Sequence, residues 1–369
     1  METLCAEEDS ISGMGVIDAD VAASLPHHEY PTSAASKTRK SKLFLWVLLF
    51  CICLGLGYPV LSRYDPSTQI PEIQDYLDLE MTGPPPGSTA HTDYRVLTPM
   101  LARPFYKILN GRAQTWNPAL GGLMIADAIM CASTAFLLYL IACQMFDPTV
   151  ALVSALLYLE NFAVPNLRLI GMVDAAEGFF LLAIWWSLIR RRFWLLPLWA
   201  VLGAMNKETF APFAAVLLVV WCLTEIESDS RRNMMVWSAA AVAAAFLTTT
   251  LLQYSIRGSL LMPWQFAAGL QLRTNYLLNL WGSIWDRHSA YVYAWLVPFG
   301  LLRIRRMPFA WISSTAAATI AAFALSTWYG ADPGTMGRVV FSIAGPILTL
   351  GVAILLCEVL RIRPLEKVV

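Results

Sequence analysis

The chain has 369 residues, 57% hydrophobic and 14% charged, and its 26 basic and 26 acidic side chains cancel to a formal net charge of zero. Soluble domains carry about 25% charged residues, so this composition excludes an ordinary soluble protein and points to a membrane protein. A neutral total supplies no field to attract nucleic acid, and no nucleic-acid partner is expected.

Residues 1–42 mix acids, Ser and Ala without sustained periodicity and read as a disordered cytoplasmic tail. They end in "SKTRKSKLF", a basic cluster directly before the first apolar run. A cleaved secretory signal starts with a short basic region, so this arrangement reads as a tail followed by a signal anchor. Against the ~20 residues needed to cross a bilayer, apolar runs fall near 43–61, 119–143, 149–165, 174–189, 193–206, 210–224, 234–254, 288–302, 307–327 and 338–360. The expected fold is therefore all-α, a polytopic domain over 43–360 with about ten transmembrane helices, followed by a short C-terminal tail at 361–369. The seven cysteines show neither a disulfide pattern between loops nor metal spacing with the four histidines. Those in the spans read as small packing residues.

The basic clusters orient the chain. Lys37–Lys42, Arg190–Arg192, Arg231 with Arg232, Arg303–Arg306 and Arg361–Lys367 all fall on one side when ten spans are counted. Short cytoplasmic segments carry such excess, so both termini are expected in the cytoplasm. The other face then holds the loop 62–118, the turn near 166–174, the turn Asn206–Thr209, the stretch 255–287 and the turn 328–337. In the long loop, "YRVLTPMLARPFYKILNG" alternates apolar residues with Arg95, Arg103 and Lys107, as an interfacial helix does. Tyr94, Phe105, Tyr106 and Trp116 fit an aromatic belt. The segment 260–285 is apolar but interrupted by Pro, Gln, Asn and Gly, and reads as a second interfacial stretch.

Charge on the outer face is unusual in its placement. Asp174, Glu177, Lys207, Glu208 and Arg338 stand at the outer ends of different expected helices, and Glu72, Asp75 and Asp65 stand in the loop after the first span. Ionisable groups at membrane depth are costly unless they pair, face water or line a site. Their common sidedness therefore predicts one outer-face cavity.

The motifs "PEIQDYLDL", "DYRVLTPMLAR", "GMVDAAEGFFLLAIWW", "MNKETFAPFAAVLL" and "ADPGTMGRVVFSIAGPIL", in that order, resemble the multi-spanning glycosyltransferases of the GT-C superfamily, in particular bacterial dolichyl-mannosyltransferase-like members. The resemblance covers most of 43–360. It implies a polyprenyl-phosphate-linked sugar as donor, a glycan, lipid or protein acceptor, and an active site in the extracytoplasmic loops of a bacterial inner-membrane protein. It also implies an essential acid in the first outer loop. Asp75 is the leading candidate, with Glu72 and Asp65 as alternatives, and Asp174 resembles the second acidic position. A carboxylate within reach of the acceptor hydroxyl can serve as base, and the phosphate leaving group asks for cations. Lys207 and Arg338 are the candidates to face that phosphate, with Glu208 orienting Lys207 and Arg95 holding the phosphate or ordering the loop. A divalent cation, Mg or Mn, on Asp65 and Asp75 is left open, since spacing alone does not specify one. The alternative reading is a transporter or flippase of a polar lipid or solute, or a non-catalytic membrane protein of this fold. The absence of an internal repeat and the gathering of charge at one end of the helices favour an enzyme.

Overall fold

The computed structural model describes residues 32–63, 70–88, 90–112, 115–225, 228–260, 276–329 and 335–360. Among them the chain is all helical, with no strand. In order the helices are α1 (Thr32–Arg63), α2 (Pro71–Thr82), α3 (Leu97–Leu109), α4 (Pro118–Met145), α5 (Pro148–Glu160), α6 (Asp174–Ile189), α7 (Leu196–Asn206), α8 (Phe210–Thr224), α9 (Ser228–Arg257), α10 (Tyr276–Ile284), α11 (Arg287–Tyr293), α12 (Leu296–Leu301), α13 (Phe309–Tyr329) and α14 (Thr335–Val359). The chain divides into two units, Met1–Phe44 and Leu45–Val369. Of the first, the described part is the start of α1 from Thr32.

Four helical segments are long and apolar enough to cross a membrane: Lys40–Pro59, Pro118–Met145, Arg231–Arg257 and Gly337–Val359. Four shorter apolar segments accompany them, Pro148–Glu160, Phe193–Asn206, Phe210–Thr224 and Phe309–Leu325. About ten crossings were expected, and the runs that fall short of full length do so for local reasons. The run 149–165 stops at Glu160 and re-forms as a π-helical turn, Val164–Arg168. The run 288–302 is split into α11 and α12, seven and six residues long. The run 193–206 opens with the 3-10 turn Phe193–Leu195, and α7 after it has only 11 residues, with Pro197 in its first turn.

Several helix starts follow from proline and a capping oxygen. Pro118 and Pro148 occupy first-turn positions where no amide donor is needed. Just before them, the side chain of Asn117 accepts from the Ala119 amide, and that of Asp147 accepts from Thr149 and Val150. The four long segments sort into core and periphery. In its most apolar window α14 is 89% buried and α4 67%, whereas α9 is 22% and α1 17%. Thus α14 and α4 are central, with α14 against α5, α6, α12 and α13, while α1 and α9 turn most of their surface outward. A Cβ on Gly351 would run into the Gly300 carbonyl, so α14 meets α12 backbone to backbone.

The two stretches expected at the interface carry apolar side chains outward. On α3 these are Met100, Leu101 and Ile108. On α10 and just after it they are Leu277, Leu278, Trp281, Ile284 and Trp285. Tyr94, expected in the aromatic belt, is instead buried, with its hydroxyl donating to the Ser88 carbonyl at 3.1 Å.

Candidate functional site

The site starts from the join between the first loop and the bundle. The Val96 amide donates to the Met205 carbonyl at 3.1 Å, and the Thr98 hydroxyl donates to Asn206 Oδ1 at 2.6 Å. Asn206 Nδ2 in turn donates to the Val173 carbonyl at 2.8 Å. One buried asparagine at the end of α7 thus pins the start of α3 to the residue before α6. Gly203, one turn earlier, lets the Phe210 ring lie against the α7 backbone, because a Cβ there would collide with it. The chain consequently reverses over Lys207–Thr209 in minimum space.

Within that turn Lys207 is extended, with φ −159° and ψ 134°. Consecutive side chains in extended backbone point to opposite sides, so Lys207 and Glu208 do not pair with each other. Lys207 Nζ donates to Asp174 Oδ1 at 2.7 Å and to Glu177 Oε2 at 3.1 Å, both in the first turn of α6. The Thr209 hydroxyl donates to the other Glu177 oxygen at 3.0 Å. Burial would lower the Lys207 pKa, but Asp174 and Glu177 outweigh it and raise it. Glu208 takes the opposite side and receives a bidentate fork from Arg95, Nε to Oε2 at 2.9 Å and Nη2 to Oε1 at 2.6 Å. Burial pushes the Glu208 carboxyl up, but the Arg95 guanidinium prevails and holds it at about 2. The expected role of Glu208 in orienting Lys207 is therefore not what the geometry presents. Glu208 orients Arg95.

Arg95 links this turn to the first-loop helix. Its Nη1 donates to the Tyr76 hydroxyl at 2.5 Å and lies 4.0 Å from Glu72 Oε2. Burial pushes the Tyr76 phenol up to about 12 despite the nearby guanidinium. Asp75, one residue before Tyr76 on α2, is exposed and accepts from the Thr92 hydroxyl at 3.0 Å. Arg338, in the first turn of α14, brings Nε to 3.9 Å from Asp174 Oδ2. Asp65 lies outside the described residues.

The ion pairs form two sets that meet at the Lys207–Glu208 peptide: Glu72, Arg95 and Glu208, from α2, the segment before α3 and the turn after α7, and Glu177, Lys207, Asp174 and Arg338, from α6, that turn and α14. Over the two sets, four carboxylates face three cations among the described residues. The cations are already matched, so an incoming phosphate would have to share or displace a carboxylate. Among the described residues no group of three or more His, Cys, Asp or Glu side chains could hold a metal ion.

Three further buried ionisable residues lie outside the set of expected site residues. Arg168 ends the π-helical turn and is fully buried. It donates to the Tyr158 hydroxyl and, at 2.8 Å, to Ser342 Oγ, and its guanidinium lies 4.8 Å from the centre of the Phe341 ring. The Ser342 hydroxyl lies within reach of the carbonyls of Asp174, at 3.3 Å, and Arg338, at 3.2 Å. Asp127 sits inside α4 and accepts from the Gly171 amide at 3.2 Å. Glu80, on α2, is buried against α3 and α4 with neither carboxylate oxygen hydrogen-bonded. For Asp127 a signal was present, since an acid inside an apolar run is itself a reason to look.

Compared with known proteins, the chain finds no counterpart: no family model, no curated protein and no solved structure matches it.

Proposed function

We propose that the chain is a multi-pass membrane glycosyltransferase of GT-C type, moving a sugar from a polyprenyl-phosphate donor to an acceptor hydroxyl on the outer face of a bacterial inner membrane. The observation that carries the reading is the convergence of Glu72 and Arg95 from the first loop with Asp174, Lys207, Glu208 and Arg338 from the helix ends. In this reading the four shorter apolar segments, α6 and the split run α11–α12 complete about ten crossings, short spans being accommodated by neighbouring helices and local thinning. Both termini are then cytoplasmic, and the apolar faces of α3 and α10 lie in the interface where a lipid carrier enters.

The roles follow from exposure and pairing. Asp75 is open to an acceptor and acts as the base, with Thr92 fixing its carboxylate. Glu72 stands as its alternative beside Arg95. Arg338 and Arg95 meet the donor phosphate, with Glu208 holding the Arg95 fork in plane. Lys207 supplies positive potential while bonded to Asp174 and Glu177. The test is transfer of labelled sugar from a polyprenyl-phosphate sugar in proteoliposomes. Asp75→Asn should abolish transfer while leaving the melting midpoint unchanged. An active Asp75→Asn protein, with Glu72→Gln inactive, would move the base to Glu72, and activity in both would end the assignment to this loop helix.

A second reading rests on the matched charges themselves. Cations that already hold carboxylates also suit a translocator or a non-catalytic scaffold, in which ion pairs lock the helix ends together. Translocation of a labelled lipid without transfer, or neither activity, would favour it.

A further inference from the structure

Glu80 stands where α2 meets both α3 and α4. Its side chain is fully buried, and neither carboxylate oxygen accepts a hydrogen bond. We propose that Glu80 is a proton-operated latch: in its neutral form it seats α2 on α3 and α4, and its ionisation releases α2, and with it Glu72 and Tyr76, from Arg95.

The slot around the carboxyl is the first argument. A Cβ on Gly122 would overlap Glu80 Oε1 and would come within 3.0 Å of the Ala102 carbonyl and the Tyr106 amide. Glycine on α4 thus leaves the space that the carboxyl fills, with the α3 backbone as its other wall. The three helices share one apolar cluster, which includes Ile73, Leu77, Leu79, Ala102, Ala119 and Leu123. A carboxylate can only accept hydrogen bonds, and here none is donated to it among the described residues. A carboxylic acid is neutral and brings a donor of its own, so it suits such a slot and a carboxylate does not.

The surrounding charges are the second argument. The cation that acts on Glu80 is Arg103 of α3. Its donors go elsewhere, Nε to the Glu80 carbonyl at 2.9 Å and Nη2 towards the Leu79 carbonyl at 3.4 Å, so it closes the end of α2 and leaves the carboxyl unpaired. Also on α3, Lys107 is exposed and the Tyr106 hydroxyl faces Asn110. From Pro118 to Ala126 α4 carries no charge, and Asp127 accepts from the Gly171 amide. On α2 itself Glu72 lies by Arg95, Asp75 by Thr92 and Asp78 by Gln74, while Tyr76, one turn before Glu80, accepts from Arg95. Burial accordingly prevails over Arg103 and pushes the Glu80 carboxyl up to about 8. Of the three helices α2 is the one free to leave. The chain entering α3 is pinned to α7 by the Val96 amide and the Thr98 hydroxyl, whereas α2 is held through side chains, those of Arg95, Thr92 and Arg103 among them. Once released, it leaves Arg95 with the Glu208 fork alone of the partners described above. The proposal stands on the seating of α2 and does not depend on the sugar-transfer reading.

The test is hydrogen exchange of the full chain in neutral detergent, read by mass spectrometry on peptides from α2 and α14. Wild type and Glu80→Gln are compared at the same pH, so that the intrinsic chemistry of exchange cancels. Glutamine keeps the size of the neutral acid and cannot ionise. Glu80→Met, which has no polar atom to leave unpaired, is a second variant that cannot ionise. A carboxyl held at about 8 when seated and at about 4.5 when released favours release tenfold per pH unit between those values. The seat is therefore firmest below about 4.5 and weakens as pH rises to about 8. From about pH 6 to about pH 8 the opening of α2 in wild type, relative to either variant, should rise about 100-fold and then level off. At each pH the α2 amides should exchange through a smaller opening than those of α14. A ratio that stays constant with pH would overturn the latch. So would α2 and α14 exchanging through one common opening, which would make the ionisation a matter of unfolding the whole chain.

Discussion

Replacing Lys207 by alanine is the sharpest perturbation the cluster allows. The ammonium is buried, and it is shared by Asp174 at 2.7 Å and Glu177 at 3.1 Å, whose side chains are 3% and 0% exposed. Without it, Asp174 retains Arg338 at 3.9 Å, and Glu177 retains the hydroxyl of Thr209. Removing one partner of a buried ion pair costs about 3–5 kcal/mol, mostly because the remaining charge is uncompensated. Here two acids lose their main partner, so the upper part of that range applies. At about 2 °C of melting midpoint per kcal/mol for a large domain, Lys207→Ala should melt about 8–10 °C below wild type in detergent, followed by tryptophan fluorescence. The double change Lys207→Met with Glu177→Gln removes a cation and an acid together and should recover part of that loss, by about 0.5–3 kcal/mol of coupling. A Lys207→Ala protein that melts at the wild-type midpoint would refute the reasoning, as would a double variant as unstable as the two single losses added. The same numbers bear on activity: lost transfer in Lys207→Ala alone is a stability effect, and a phosphate contact has to be sought in Lys207→Arg, which keeps the charge but changes its shape.

Arg95→Lys should keep the attraction to Glu208 while losing the fork, and should lower sugar transfer more than it lowers the melting midpoint; the opposite pattern would make Arg95 a purely structural residue. Burial pushes the Glu80 carboxyl up to about 8 against the pull of Arg103, so the folded chain keeps a proton that the unfolded chain releases. Stability from this group is therefore full below about 4.5, falls as pH rises towards about 8 and is flat above it, and Glu80→Gln should remove that slope from a plot of melting midpoint against pH. Glu208, held at about 2, has the opposite sign: its contribution is present above about 4.5 and is lost as pH falls towards 2, which Glu208→Gln should abolish. Cysteines placed at Ser88 and Ser228 should differ in labelling by an impermeant thiol reagent on intact cells, with position 88 labelled and 228 protected; the reverse would invert the proposed orientation.

Helix content and the apolar runs were legible because a 20-residue apolar segment has few other solutions. The runs that broke did so where local chemistry intervened: Pro165 follows the end of α5, and α11 is separated from α12 at Ala294 and Trp295. The positions of Asp174, Lys207, Glu208 and Arg338 at helix ends were legible for the same reason. Their pairing was not. Adjacent opposite charges suggest a pair, but the extended backbone at Lys207 sends them apart, and a partner 113 residues away, Arg95, cannot be read from local pattern. Arg168 was hidden differently. It falls just past an expected span, where an arginine reads as solvated, and it is buried by distant segments, Tyr158 of α5, Gly178 of α6 and Phe341 and Ser342 of α14.

The burial of Arg168 also constrains how the protein is made. Tyr158, one of its two hydrogen-bonding partners, has already been synthesised when Arg168 emerges, but Ser342 follows 174 residues later. At about 5–20 residues per second, the guanidinium waits on the order of 10–35 s for the residue that completes its shell. During that interval the Arg168 guanidinium lacks one of its hydrogen-bond acceptors, and in the proposed multi-pass reading α5 and α6 stay in the translocation machinery, or keep Arg168 in the headgroup region, until α14 arrives. Truncation before α14 should therefore leave a product recognised by membrane quality control, however well its earlier helices insert.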